Sequence, residues 1–497
     1  MVHDLLIIGG GINGAAIARD AAGNGLKVLL CEAGDLAGQT SSASSKLIHG
    51  GLRYLEHMEF RLVREALLER EVLLQSAPHI IWPLRIVLPH HKGLRPVWML
   101  RLGLFLYDHL GARKRLPGTS RADLTRPPHA GILQPQYRKG FEFSDCWADD
   151  ARLVVLCARD AADRGAEIRT QTRCTGLARS DDIWNVDLEH SGGVRETVAA
   201  RAVVNAAGKH VDDVLEILYP DRDAQNLRLI KGSHIVLPRL YEGDHLYMFQ
   251  NSDDRIVFAI PYEKDFTLIG TTDVPYDPAD GPPKISDAEI DYLLAIANDY
   301  FARPVSRESI TWTYSGVRPL FDDKSDNAST VTRDYVFDLD RGDDGEGAPL
   351  LSIFGGKITT CRKLAEHAME RLEAVLHFGS RPWTAGATLP GGDIEDGDFD
   401  RFLALAETRY PWLDAFVRQR LARRYGTRMA LILEGIASME GLGRDFGAGF
   451  YEAEAGYLIA QEWAVTAEDM LWRRTKRGLH MSEDEIAGVE AWVAGQG

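Results

Sequence analysis

The feature that most constrains this chain is a glycine-rich turn near its start. Asp4-Leu5-Leu6-Ile7-Ile8 reads as a buried strand, it opens into Gly9-Gly10-Gly11-Ile12-Asn13-Gly14, and an alanine-rich stretch comes next. Glycines 9, 11 and 14 match G-x-G-x-x-G. The first permits the tight turn, the second lets backbone approach a pyrophosphate, and the third lets helix pack closely on strand. The phosphates would then lie at a helix N-terminus, where free N–H groups and the dipole favour anions. The pattern continues with Ala18 on the buried helix face, Gly25 in the turn, Val28 in a second strand and Glu32 at its end. A carboxylate there can accept from adenosine ribose hydroxyls. A βαβ unit built for a dinucleotide is the expectation.

The fingerprint alone does not settle FAD against NAD, and the residues after Glu32 lean toward the flavin. Thr40-Ser41-Ser42-Ala43-Ser44-Ser45-Lys46 is a hydroxyl-rich segment where a nicotinamide unit would more usually continue into another βαβ repeat. It suits backbone lying along a long cofactor, with Ser41, Ser42 and Ser45 as contacts. Ala202-Val203-Val204-Asn205-Ala206-Ala207-Gly208 is a second small-residue strand end, able to approach the cofactor from the other side through Gly208. The strand Leu350–Phe354 runs into Gly355-Gly356-Lys357-Ile358-Thr359-Thr360 and then a helical pattern. A helix N-terminus at this junction can stabilise the charge a reduced flavin develops, which makes Gly355 and Gly356 cofactor-binding candidates. The cofactor expected is FAD, non-covalently bound.

The 497 residues allow about three domains. Helical spacing marks Phe60 to Gln75 and about 153 to 165, and short strands fall around Ile168, Trp184–Leu188 and Ala202–Asn205. Residues 227–275 change to β-rich runs at Leu229–Pro238, Leu246–Gln250, Arg255–Pro261 and Phe266–Gly270. Residues 340–347 read as an exposed acidic loop. The tail has helix-like stretches near 401–424, 427–438 and 466–475. The fold class expected is α/β: an FAD-binding Rossmann-type domain, an antiparallel β-rich substrate domain and a C-terminal helical domain. The FAD-binding parts are 1–75, 146–226 and 346–380, with a membrane-surface and substrate-domain segment at 76–145. The β-rich unit is 227–345 and the helical domain 390–497.

A net charge of −16 argues against nucleic-acid binding. Five scattered cysteines with no C-x-x-C give no metal motif and suit a reducing cytoplasm. No signal peptide and no run of 18 or more apolar residues is found.

Longer motifs carry a family resemblance. Ser41-Ser42-Ala43-Ser44-Ser45-Lys46-Leu47-Ile48-His49-Gly50-Gly51-Leu52-Arg53-Tyr54-Leu55-Glu56 closely resembles the signature of FAD-dependent glycerol-3-phosphate dehydrogenases. So do Ile230-Lys231-Gly232-Ser233-His234, Ile269-Gly270-Thr271-Thr272-Asp273, Tyr314-Ser315-Gly316-Val317-Arg318-Pro319-Leu320 and Gly355–Thr360. The likeness runs in order from residue 4 to about 380, then reappears in Leu389-Pro390-Gly391-Gly392 and Leu471-Trp472-Arg473-Arg474-Thr475-Lys476. It is nearest to the aerobic, membrane-associated bacterial enzymes. Ala206-Ala207-Gly208-Lys209-His210 departs from the family's Ala-Thr-Gly-Pro-Trp and removes a hydroxyl near the cofactor.

The resemblance implies hydride transfer from C2 of sn-glycerol 3-phosphate to flavin N5, giving dihydroxyacetone phosphate, with electrons passed to a membrane quinone. A phosphate dianion needs cations, and arginine's fork suits it. Arg53, Arg333 and Lys357 are the implied substrate-binding cations, with Tyr54 and Thr359 adding hydroxyls. His234 and Arg318 are the implied catalytic pair. His234 is a general-base candidate because an ordinary imidazole titrates near neutrality, and Arg318 can instead hold the developing alkoxide. The assembly expected is a homodimer. The alternatives are a glycerol-3-phosphate oxidase using oxygen, an amine or amino-acid oxidase, and a flavin-bearing interaction protein.

Between Lys92 and Arg115 lie six Lys/Arg and one Asp, a local charge of +5, interleaved with Trp98, Met99, Leu102, Leu104, Phe105, Leu106 and Tyr107. Such a segment can sit in a lipid surface. The location expected is the inner face of the cytoplasmic membrane, peripherally attached, with lipid headgroups as partners.

Overall fold

The computed structural model describes residues 2–496 apart from 92, 112, 181, 222–225, 252, 254, 323–333, 343 and 344. One sheet runs in the order Val336–Asp340, Leu350–Phe354, Arg195–Asn205, Val2–Ile8, Val28–Cys31, Glu167–Arg169. All neighbours after the first pair are parallel. Continuous apolar runs such as Leu5–Ile8 and Val28–Cys31 form these central strands because both faces are covered. One face packs on helices Ile12–Gly23, Asp150–Asp163 and Cys361–Leu376, through Ala15, Ala18, Val154, Ala158, Leu364 and Ala368. The first of these helices is alanine-rich, so its neighbours can approach it closely.

Register is what builds the site. Ile8 stands opposite both Cys31 and Asn205, and Asn205 opposite Ser352. The segments beginning at Gly9, Glu32 and Ala206 therefore emerge side by side at the carboxyl edge, with Gly355-Gly356 just beyond the end of the neighbouring strand. Ligands of such sheets bind there.

Among the described residues the second sheet has ten strands and is antiparallel except where Leu246–Gln250 pairs with Ile81–His90. The long strand Leu227–Pro238 pairs with Trp312–Phe321 along ten residues and with Phe266–Gly270 on its other side. Alternation along the strands makes two cores. One lies under helices Phe60–Ser76 and Val97–Leu110, and the other under helix Asp287–Tyr300.

The tail forms helices Phe399–Arg409, Ala415–Tyr425, Met429–Ile432, Glu452–Glu462 and Glu483–Ala494 around a core of its own that includes Leu421, Tyr425, Phe450 and Leu458. Asp398, Asp414 and Ser482 cap the first turns of three of them, which is why those helices begin where they do.

Some placements differ from the sequence reading. Val336–Asp340, expected with the β-rich unit, pairs antiparallel with Leu350–Phe354 in the first sheet, where Phe337 and Leu339 pack toward the same core. Ile81–His90 and Lys139–Ala148, within the segment 76–145, are full strands of the second sheet. Helix Glu452–Glu462 escaped the periodicity because it buries two acids, Glu454 and Glu462, each held by a guanidinium. The stretch expected as a helix over 466–475 is a π-helical turn at Asp469–Arg474.

Candidate active site

At the first glycine turn the chain leaves no room for side chains. A Cβ on Gly14 would fall 1.9 Å from the Gly9 carbonyl oxygen, and one on Gly9 (φ +112°) 2.5 Å from that of Ala206. Gly11 differs: its Cβ direction meets nothing nearer than Ser41 Oγ at 3.3 Å, so an open groove passes there. Helix Ile12–Gly23 points its N-terminus into that groove without a side-chain cap of its own, and Ile12 N donates to Ser41 Oγ at 3.0 Å. Glu32 closes the outer side, accepting from Gly10 N at 2.7 Å and Gly34 N at 2.8 Å. Each oxygen keeps a lone pair for ribose hydroxyls. At the other junction Gly355 and Gly356 have φ of +77° and +99°. A Cβ on Gly356 would strike the Asn13 amide, whose Oδ1 is buried without a partner. Gly208, at φ +62°, faces open space. Glycine-lined open backbone, one helix N-terminus and a buried orphan acceptor fit a flavin dinucleotide laid along this edge.

From Ile12 and Ser41 a cavity of about 770 Å³ runs past Ser45 and His49 to Gly355–Thr359, floored by the second sheet. Arg53, Tyr54, His234, Arg318, Lys357 and Thr359 all line it. Among the described residues, the side chains of Arg53 and Lys357 make no hydrogen bond or ion pair, although the Lys357 carbonyl accepts from Thr360 N at 3.1 Å. The Lys357 ammonium rests over the Tyr54 ring, 4.1 Å from its centre, and Thr359 Oγ1 accepts from His49 N at 3.3 Å. Arg318 is paired with Asp273 and donates to Thr271 Oγ1 at 3.0 Å. The pair is about one-third exposed to the cavity, with the arginine at 31% and the aspartate at 38%.

His234 is 2% exposed, stacks on Tyr314 at 4.6 Å, and shares a 2.9 Å hydrogen bond between Nε2 and Ser45 Oγ. Its Nδ1 has no partner. Burial, and then the nearby charges of Lys46 and Arg318, push its pKa well below the ordinary imidazole value. The expected titration near neutrality is therefore not what the structure gives. His234 is neutral at pH 7, able to accept a proton but weakly basic.

The remaining placements are mixed. Ser45 and Ser41 line the cavity, whereas Ser42 lines a second one and donates to Gln39 O at 3.2 Å. Arg333 lies outside the described residues. Sequence reasoning missed Asp273 and Thr271 as site residues, although both stand in the Ile269–Asp273 motif. It also missed Asp150, which accepts from Lys46 Nζ at 3.0 and 3.1 Å and from Ser44 N and Oγ, fixing the hydroxyl loop from below. Burial opposes the Asp150 charge, but Lys46, Lys476 and these hydrogen bonds hold its carboxyl below the usual range. Its signal was the acidic pair opening helix Asp150–Asp163. Among the described residues no group of three or more His, Cys, Asp or Glu is arranged to hold a metal.

The carboxyl-edge groove and the cavity beyond it define a flavin oxidoreductase. The family described as FAD dependent oxidoreductase matches residues 4–362, and the chain belongs to it. Residues 383–492 match the family described as C-terminal domain of alpha-glycerophosphate oxidase. The chain is 52% identical to D-erythritol 1-phosphate dehydrogenase of Brucella abortus (strain 2308), covering 98% of this chain and 97% of that protein. It is 50% identical to aerobic glycerol-3-phosphate dehydrogenase of Escherichia coli (strain K12), covering 99% and 97%. Among solved structures, glycerol-3-phosphate dehydrogenase from Bacillus halodurans complexed with FAD superposes with a TM-score of 0.75. It is 27% identical and covers 99% of this chain and 94% of that one.

Proposed function

We propose that this protein oxidises the secondary alcohol of a short polyol phosphate, sn-glycerol 3-phosphate in the first instance, to the ketone. The observation that carries the reading is two cations, Arg53 and Lys357, left without carboxylate partners on one wall of the cavity beside the Gly355-Gly356 junction. A phosphate dianion supplies the missing charge, and the donors can add charge-assisted hydrogen bonds to it. The relative acting on glycerol 3-phosphate at 50% identity supports the same substrate class. Bound FAD supplies the acceptor for the hydride from C2.

The chain's own work is then positioning and proton handling. Arg53, Lys357, Tyr54 and Thr359 fix the phosphate end, with Arg333 as a further cation in this reading. Arg318, steadied by Asp273 and Thr271, presents a fixed positive charge to the C2 oxygen as its proton leaves. Neutral His234 takes the proton, through Ser45 Oγ or directly. A depressed imidazole is a poor base alone, so the arginine's stabilisation of the alkoxide is the larger part. The product is dihydroxyacetone phosphate.

A four-carbon substrate is favoured by one observation, the 52% identity to the erythritol-phosphate enzyme. Anaerobic addition of sn-glycerol 3-phosphate or D-erythritol 1-phosphate, with flavin absorbance as readout, separates the two. Rapid bleaching by glycerol 3-phosphate supports the main reading and selective bleaching by the erythritol ester the second. No bleaching by either overturns both.

A membrane quinone is the electron acceptor in this reading. The cavity's apolar end, at Met99, Leu102 and Leu106, reaches helix Val97–Leu110, whose Trp98 and Phe105 are 64% and 57% exposed. No described helix is long and apolar enough to cross a membrane, so attachment would be at the surface. Five unpaired, buried cysteines suit the cytoplasmic face. Reoxidation of substrate-reduced protein faster by a short-chain quinone than by air is the expected result; the reverse order favours the oxidase alternative.

A further inference from the structure

The motif Leu471–Lys476 does not line the cavity assigned to the substrate. It lies in and just past the π-helical turn of the C-terminal domain, and it grips the cofactor groove from outside. Asp35, three residues beyond Glu32, is 4% exposed in its side chain and accepts from two guanidiniums at once. Arg474 donates through Nη1 at 2.7 Å and Nη2 at 2.6 Å, and Arg473 through Nε at 2.5 Å. Arg474 is wholly buried and also donates to Glu462 O at 2.7 Å. Arg473 is returned to Asp469 and Glu468, so the excess positive charge is balanced within the turn.

Asp35 stands in the loop that forms the outer wall of the glycine turn. Ala37 N donates to Gly10 O at 3.1 Å, Gln171 N to Gly34 O at 2.9 Å, and Leu36 is fully buried against Gly10. Both Glu32 oxygens hold Gly10 and Gly34 in register. Just past Asp35 the two parts diverge around a cavity of about 700 Å³ lined by Gly38, Gln39, Thr40 and by Leu471, Trp472 and Lys476. Packing does not close the joint there, so the grip falls on the ion pairs. A bidentate, desolvated arginine–carboxylate contact is a directional tether that a lysine reproduces only in part.

We infer that the C-terminal helical domain is a working part of the cofactor site: Arg473 and Arg474 hold the loop Glu32–Gly38 against the Gly9–Gly14 turn and thereby set how tightly FAD is retained. Both are positioning residues, acting through Asp35 and Glu32. The inference does not depend on which alcohol is oxidised.

The test uses the full chain. Arg474→Met, Arg474→Lys and Asp35→Asn are compared with Arg420→Met, which breaks a buried pair with Glu454 inside the C-terminal domain, away from the loop. The readouts are the FAD dissociation constant, from flavin fluorescence released on dilution, and the thermal midpoint of the apoprotein. Expected are at least tenfold weaker FAD for Arg474→Met and Asp35→Asn, an intermediate value for Arg474→Lys, and an unchanged one for Arg420→Met despite a lowered midpoint. Should Arg474→Met fail to fold, the partly solvated Arg473→Lys carries the same comparison with a threefold or larger weakening. Unchanged FAD affinity in the folded tether variants, or equal weakening in Arg420→Met, overturns the inference.

Discussion

The two walls of the cavity treat their charges in opposite ways. Beneath the hydroxyl loop, Lys46 is 1% exposed and saturated by Asp150 and Ser42 O. Across from it, Arg53 and Lys357 face the cavity with no carboxylate of their own. A buried charge is tolerated only when paired. The first wall therefore solves its electrostatics within the protein and is framework, whereas the second leaves its charges open to a ligand. Arg318 stands between them, paired with Asp273 yet still one-third exposed. The presence of a cation near a cofactor does not separate structure from function; its partner does.

The sharpest way to break this contrast is to remove one half of the framework pair. Lys46→Met or Asp150→Asn leaves an uncompensated buried charge, and the expected cost is about 3–5 kcal/mol of unfolding free energy. Denaturant titration of the holoprotein measures it. Values under about 1 kcal/mol, the range of solvent-exposed pairs, would place Lys46 among the ligand-facing cations after all.

The other wall should behave in the converse way. Lys357→Met and Arg318→Met each remove charge-assisted hydrogen bonds to substrate of about 1.5–3 kcal/mol, a tenfold to hundredfold loss in kcat/KM. FAD stays bound and the unfolding midpoint nearly unmoved. Arg318→Met should act on kcat and Lys357→Met chiefly on KM. Normal kinetics in both would make these side chains structural and leave the phosphate without its cations.

A buried polar group without a partner is not always a ligand site, and His79 sharpens the point. Both its ring nitrogens are orphaned, and burial, then Arg152 and Arg423, lower its pKa to about 3. The folded state thus holds His79 neutral while the unfolded chain protonates it below about pH 6.5. Stability is complete above about pH 6.5 and falls by up to about 1.4 kcal/mol per pH unit as pH drops toward about 3. His234, shifted the same way, adds a similar slope. His79→Gln should flatten the stability profile between about pH 6 and pH 4 while leaving kcat/KM at neutral pH within about twofold. An unchanged profile would show that His79 is protonated in the fold.

Legibility in the sequence followed the same division. The tight turn at Gly9–Gly14 and the bracing carboxylate of Glu32 were readable because such a turn dictates residue type at fixed local spacing. Strands Leu246–Gln250, Phe266–Gly270 and Leu350–Phe354 were readable to the residue because apolar runs end at polar turns. What stayed hidden is carried by long-range pairs. Asp150 meets Lys46 across 104 positions, Asp273 meets Arg318 across 45, and Asp35 meets Arg474 across 439. No spacing rule connects such residues; only the register of the sheets and the docking of the C-terminal helices do. The depressed His234 pKa was hidden for the same reason, since it depends on what surrounds the ring rather than on the ring.

The smallest effects belong to the surface where the apolar end of the cavity opens. Trp98 and Phe105 project from helix Val97–Leu110 on the side away from Leu100, Leu104 and Tyr107, which are buried in the second-sheet core. Arg101 on the same helix and Lys114 in the segment after it are exposed. If this face lies on lipid, each basic residue adds about 1 kcal/mol of attraction to an anionic surface, and the aromatics add apolar insertion. Arg101→Gln and Lys114→Gln should then each weaken co-sedimentation with phosphatidylglycerol vesicles about fivefold at low salt, and the difference should fade as salt screens it. Trp98→Ser with Phe105→Ser should weaken it at all salt concentrations. None of the four lines the cavity, so turnover with a water-soluble electron acceptor should be unchanged in every case. Wild-type protein that stays in the supernatant with anionic vesicles at low salt would detach this face from the membrane and turn the cavity's apolar end toward a soluble acceptor.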